Sequence, residues 1–195
     1  GSLGSANDVT VSANSTAETV ASAINTKTGT TGVSATAVTK AALTVQNAGT
    51  VTFTLAGSSS QSVSATLVST NDLTALRDAI NESTGTTGVT AVGTGGTLTL
   101  TQAAGKDIKI SNMANDGTSA SATVGTIAAL QADGTADTTQ VAINLTEDSG
   151  TTTANGNDSV TVAGTISFSS DSAFSVTSNK ASSAGSVVDV STAST

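Results

Sequence analysis

The stretch Ala23-Ile24-Asn25-Thr26-Lys27-Thr28-Gly29-Thr30-Thr31-Gly32-Val33 returns almost unchanged as Ala79-Ile80-Asn81-Glu82-Ser83-Thr84-Gly85-Thr86-Thr87-Gly88-Val89. A close internal repeat means that one supersecondary unit has been used twice, and its residues serve folding first. Ala17, Val20 and Ile24 in the first copy, and Leu73, Leu76 and Ile80 in the second, are spaced i, i+3, i+7. That is the apolar stripe of an amphipathic helix two to three turns long.

Ser15, three residues ahead of Glu18, has the spacing of a capping box, in which hydroxyl and carboxylate satisfy amides at the helix start. Asn71 and Asp72 supply polar caps in the second copy. Thr-Gly-Thr-Thr-Gly ends each helix, since glycine accepts the left-handed conformation of a helix stop. Strands follow: Val33, Ala35 and Ala37, then Leu43 and Val45, in the first copy; Val89 to Val92, then Leu98 and Leu100 across Gly95-Gly96, in the second. Apolar residues at a period of two mark half-buried strands and Gly-Gly marks a hairpin. Each module is thus expected to be helix, turn, hairpin. Ahead of the second helix, Val51, Phe53 and Leu55, a turn at Gly57-Ser58-Ser59-Ser60, and Val63, Ala65 and Leu67 form a further hairpin, of which Val9 and Val11 are the remnant in the first copy.

Beyond the modules, Lys106 to Ile110 is expected to form a strand, and Ile127, Ala128 and Leu130 a helical turn. Val141 with Ile143 and Leu145, Val160 with Val162, Ile166 with Phe168, and Phe174 with Val176 alternate as strands. Turns fall at Ser149-Gly150, Gly164 and Ser170-Asp171, and Val187 to Ala193 is an exit strand. The fold class is α+β, β-dominated, with antiparallel hairpins and short amphipathic helices in a duplicated module, arranged as two small subdomains.

The chain of 195 residues is rich in Ser and Thr and has no Pro, Cys, His, Trp or Tyr. A core of Val, Ala, Ile, Leu and Thr methyls is thin, and the Thr-rich alternation favours sheet over disorder. Six basic residues, Lys27, Lys40, Arg77, Lys106, Lys109 and Lys180, stand singly against fourteen acidic ones, for a net charge of −8. Nucleic-acid binding wants a cationic patch with stacking aromatics, so nucleic acid is excluded as a partner. No apolar run approaches the roughly 20 residues of a membrane-spanning helix, and no membrane partner is expected. The lack of cysteine fits a protein exported unfolded.

Without His or Cys, the commonest general base, the thiol nucleophile and nearly all zinc sites are missing together. No phosphate-binding Gly loop with Lys is present. No enzyme, catalytic residue, cofactor or cofactor-binding residue is therefore expected. Asn115-Asp116-Gly117, Asp133-Gly134 with Asp137, and Asn155-Gly156-Asn157-Asp158 place acidic groups in Gly-containing loops, as calcium sites do. None has calcium-loop spacing, and the same residues make ordinary tight turns, so no metal site is assigned. N-x-Ser/Thr sequons begin at Asn14, Asn81, Asn144 and Asn157.

The helix ending in Ala-Ile-Asn followed by a Gly-Val turn, at Ala23 to Val33 and Ala79 to Val89, resembles the repeated module of bacterial flagellin and hook-associated proteins. Gly96 to Thr101 and Lys106 to Ile110 resemble the strands that follow that module, and Val188-Asp189-Val190-Ser191-Thr192-Ala193 is similar to the phrase with which flagellins re-enter their helical core. The resemblance covers most of residues 7–110 and the last ten. It implies the variable, surface-exposed outer region of a filament subunit, without the helical termini of the shaft: structural, extracellular, antigenic, supporting motility and open to glycosylation. Its partners would be other flagellin subunits through the missing helical core, together with antibodies or host surfaces. Such an insertion brings its ends together. Residues 1–48 plus 136–195 are then the proximal subdomain and 49–135 the inserted distal one. The competing class is an extracellular adhesin or surface-layer module binding carbohydrate or a host protein. Sugar sites favour aromatic platforms, and the three Phe stand in strand-like positions suited to a core.

Overall fold

The computed structural model describes residues 4–93, 95–118, 122–147 and 158–178. In chain order the elements are α1 (Ala17–Asn25), α2 (Thr28–Thr31), β1 (Ser34–Val45), β2 (Gly49–Ala56), β3 (Ser60–Leu67), α3 (Thr74–Glu82), α4 (Thr84–Thr87), β4 (Val89–Val92), β5 (Leu98–Gln102), β6 (Ile108–Asn115), β7 (Thr123–Leu130), β8 (Ile143–Thr146), β9 (Val160–Val162) and β10 (Thr165–Ser169). The fold is α+β and β-dominated, and every strand pair among the described residues is antiparallel.

One sheet runs β4-β5-β1-β7-β8, with β10 added to β1; the other runs β3-β2-β6-β9. Strand β1 organises the first. Its beginning, Ser34–Val38, pairs with β10, and its remainder pairs with β5 and β7. Since β1 lies within 1–48 while β5 and β7 lie within 49–135, one sheet spans both of those stretches.

Alternate residues of β1 and β2, among them Leu43, Val51, Phe53 and Leu55, join Leu98, Leu100, Ile110, Ile127 and Leu145 in a single hydrophobic cluster shared by the two sheets. Inner faces of packed sheets make a core in this way. Helix α3 lies against β3 and β4, strands at the ends of the two sheets, and adds Leu76 and Ile80 to the same cluster. Ala17, Val20, Ala21 and Ala35 are also buried but form no part of it; they pack where α1 crosses β1 and touches β10.

Four sequence expectations need correction. Helix α1 is capped by Thr16, whose hydroxyl accepts from the Thr19 amide at 3.3 Å, while the Glu18 amide donates to the Gly105 carbonyl; Ser15 and Glu18 form no capping box. The first copy has no hairpin, because Val38-Thr39-Lys40-Ala41-Ala42 holds no turn residue and the chain runs on as one 12-residue strand. Ile127 to Leu130 belongs to β7, not to a helical turn. Its run of Ile127-Ala128-Ala129-Leu130 shows no two-residue alternation, and unbroken antiparallel pairing with Leu43 to Lys40 of β1 fixes it as strand. Phe174 and Val176 lie outside the strands; the Phe174 ring instead packs on Phe168 with centroids 6.3 Å apart. The expected turn at Ser149-Gly150 and exit strand at Val187 to Ala193 lie outside the described residues.

Candidate functional site

The most constrained polar chemistry sits in the repeat itself. At the end of α3 the Asn81 side chain reaches across to β4: its Nδ2 donates to the Ala91 carbonyl at 2.9 Å and its Oδ1 accepts from the Ala91 amide at 2.8 Å. Thr84 donates to the Val89 carbonyl at 2.8 Å, and the Val89 amide donates to Thr87 Oγ1 at 3.1 Å. Thr87 in turn donates to the Ser83 carbonyl.

Every one of these bonds recurs in the first copy. Asn25 holds the amide and carbonyl of Ala35, both at 2.8 Å; Thr28 donates to the Val33 carbonyl at 2.8 Å; the Val33 amide donates to Thr31 at 3.2 Å; and Thr31 donates to the Lys27 carbonyl. The spacing explains the motif. Thr-Gly-Thr-Thr winds one helical turn, which turns the two Thr hydroxyls back toward the departing strand. Gly32 and Gly88, at φ 71° and 69°, then reverse the chain in the left-handed conformation that glycine adopts without a Cβ penalty.

In an antiparallel pair, alternate residues direct both amide and carbonyl to the partner, and those between direct theirs away. Strand β4 has only β5 as partner among the described strands. Val89 and Ala91 therefore point their backbone groups off the end of the sheet, where the motif's own side chains take all four of them. Asn81 and the two Thr thus stand in for the neighbouring strand that β4 lacks.

Elsewhere, the acidic loops do turn chemistry. Asn115 is fully buried, donates to the Asn47 carbonyl at 2.8 Å and accepts from the Gly117 amide, while Asp116 accepts from the Thr50 amide. Asp133 and Asp137 each accept from the amide and hydroxyl of the Thr two residues on. The Thr135 bonds hold the Asp133 carboxyl below the usual Asp range, and the Thr74 bonds at the start of α3 do the same for Asp72. No group of three potential metal ligands occurs among the described residues, and Asn155 to Asn157 lie outside them.

Of the sequons, Asn81 is held by Ala91 and its Ser83 by the Ile80 carbonyl, whereas Asn144 is exposed on β8. An open crevice of about 320 Å³ lies between the start of α1 and the Gly57–Ser60 turn, with Glu18, Lys106 and Lys109 at its rim. A second, of about 430 Å³, is walled by Gln46, Asn47, Thr123, Thr126 and Asn144.

What the fold and the repeat define is a β-rich structural module used twice. The chain belongs to the flagellin hook IN motif family, whose family model matches at residues 1–49 and again at 50–104. No curated protein matches the chain. The two matches divide the chain just where β2 begins. The second copy therefore includes the β2–β3 hairpin; the corresponding residues of the first, around Val9 and Val11, form no strand. The family ties the chain to the structural proteins of the flagellar filament.

Proposed function

We propose that this chain is the outer, surface-exposed domain of a flagellin subunit, a structural and antigenic part of the extracellular filament that supports motility, with no enzymatic role. The observation that carries this reading is the double occurrence of the IN motif. The exterior suits it: the net charge of −8 and the Ser/Thr-rich outward strand faces, such as Ser60, Gln61, Ser62, Ser64 and Thr66 of β3, stay solvated and resist nonspecific association.

The placement of the described ends supports an orientation. The Ser5 amide donates to the Thr30 carbonyl at 3.0 Å, just before β1, and Ser34 at the start of β1 donates to the Ser169 carbonyl at the end of β10. Entry and late chain thus meet at one end of β1, and we place that end toward the shaft. Residues 1–48 and 136–195 are then proximal and 49–135 distal, with the sheet centred on β1 running through both. In this proposal, assembly with other flagellin subunits runs through helical core segments, and antibodies meet the distal surface.

The test is immunogold labelling of intact cells with antibodies raised against this chain. Gold along filaments is expected. Gold confined to the cell wall, with bare filaments, contradicts the proposal and favours the adhesin or surface-layer class.

A further inference from the structure

We propose that the crevice of about 430 Å³ where β1 ends beside β7 and β8 is a weak binding site for a neutral pyranose sugar, held through carboxamide and hydroxyl groups. The site is built from this chain alone and does not depend on the filament reading.

Its wall consists of Gln46, Asn47, Thr123, Thr126 and Asn144. In a chain of net charge −8 it therefore presents three carboxamides and two hydroxyls, with no charged and no apolar side chain among the described residues. That set sorts ligands. Phosphates and carboxylates are recognised by Arg, Lys or the amides of a helix start, and the wall holds none of these. Aliphatic and aromatic ligands need an apolar lining. A pyranose ring instead carries adjacent hydroxyls that each donate and accept, and a carboxamide offers the matching acceptor and donors on one planar group.

The polar groups are positioned and yet unspent. The Gln46 amide donates to the Val124 carbonyl at 2.8 Å, which fixes the residue as β1 leaves the sheet. The Asn47 carbonyl accepts from the fully buried Asn115 at 2.8 Å, and its own Nδ2 donates to the Thr118 hydroxyl at 3.2 Å. Asn144 stands opposite Thr126 in the β7–β8 register and accepts from its hydroxyl at 3.1 Å. Left without a protein partner among the described residues are the Gln46 carboxamide, Asn47 Oδ1, Asn144 Nδ2 and the Thr123 hydroxyl. Strands β1, β7 and β8 are successive neighbours in one sheet, so the groups sit on or beside rigid elements. No aromatic ring lines the crevice to stack on a sugar, and each hydrogen bond replaces one to water, so affinity should be on the order of millimolar. On the filament reading the site recurs along a polymer, where many weak contacts act together.

The test is titration of the intact nitrogen-15-labelled chain with methyl mannoside, methyl galactoside and methyl N-acetylglucosaminide, with glycerol as an open-chain control. The readout is the side-chain amide signals of Gln46, Asn47 and Asn144. At least one glycoside is expected to shift them saturably while glycerol does not. Gln46→Ala and Asn144→Ala, both at exposed positions, should each weaken that binding about two- to tenfold, with the backbone spectrum elsewhere unchanged. No saturable shift with any of the three glycosides up to about 100 mM overturns the proposal, as such a concentration lies well above a millimolar dissociation constant. Shifts that glycerol reproduces overturn it too, because the crevice then answers to any hydroxyl-bearing solute. Saturable binding that both variants leave intact also overturns it, since the sugar is then bound elsewhere.

Discussion

Asn25 and Asn81 make the same pair of hydrogen bonds to within 0.1 Å, yet the helices that carry them are held very differently. Leu73, Leu76 and Ile80 around α3 have no exposed surface, whereas the matching positions around α1 are Ala17, Val20 and Ile24, of which Ile24 is only half-buried. The polar residues follow suit: Thr87 and Ser83 are buried, while Thr31 is half-buried and Lys27 exposed. The reason lies upstream. The second copy includes the β2–β3 hairpin, against which α3 packs; the first has none, and α1 rests on β1 and β10, with the Glu18 amide tied to the Gly105 carbonyl. One hydrogen-bond framework therefore sets the local shape of both modules, and apolar packing sets how firmly each is attached.

The largest expected difference between the copies is in truncations of the helix stripe. Leu76→Ala should cost about 2–5 kcal/mol, as fully buried Leu does when a cavity is left. Val20→Ala should cost about 1–2 kcal/mol, having fewer methyl groups and a smaller cluster around it. Denaturant unfolding of the two variants checks the ordering, and equal losses would break the comparison.

Next are the Asn clamps. Asn81→Ala should cost about 1–3 kcal/mol by leaving the Ala91 groups without partners, and Asn25→Ala should fall at the low end because α1, set on a smaller buried cluster than α3, shifts more easily to let water replace the lost bonds at Ala35. A double variant whose loss equals the sum of the two would confirm that the clamps act separately. Smaller still is a matched glycine pair. Gly32→Ala and Gly88→Ala each meet left-handed strain of about 1–2 kcal/mol. Only at Gly88 would the new methyl also lie 3.1 Å from Gln102 Nε2 and Ser58 Oγ, while at Gly32 it meets open space. Melting temperatures should therefore drop further for Gly88→Ala.

The smallest effect is pH-linked and confined to the second copy. The Thr74 hydroxyl and amide hold the Asp72 carboxyl below its ordinary value. A depressed carboxyl contributes stability above its unfolded value and loses it as pH falls through the folded one. Asp72→Ala should thus be less stable than the parent at neutral pH, with the gap closing in acid below the ordinary Asp range. A gap that persists unchanged in acid would remove the carboxylate from the account.

Much of this was legible in the residues. The i, i+3, i+7 stripes placed both helices, the alternation at Val51-Phe53-Leu55 and Val63-Ala65-Leu67 placed the hairpin, and the repeat pointed to the family. The unequal depth of the copies was also written in Ala17, Val20 against Leu73, Leu76. What was hidden depends on partners distant in the chain. Ile127 to Leu130 is a strand because β1 pairs with it throughout, and the long unbroken β1 is held by β10, β5 and β7. Thr16 caps α1 while Gly105, far along the chain, takes the Glu18 amide that the capping box was expected to order locally. The Asn clamp was missed for a different reason. Its signal, an Asn placed ten residues before the alanine it binds in both copies, was visible in the repeat, but only side-chain geometry gives that spacing a meaning.

The most direct test of a shared framework with unequal packing is native-state hydrogen exchange at the Ala35 and Ala91 amides, each bonded at 2.8 Å to its Asn. Both should be protected, with Ala91 exchanging only through global unfolding and Ala35 through a local opening of lower free energy. Equal protection at the two sites, or an Ala35 amide that exchanges as freely as in an open chain, would contradict the account.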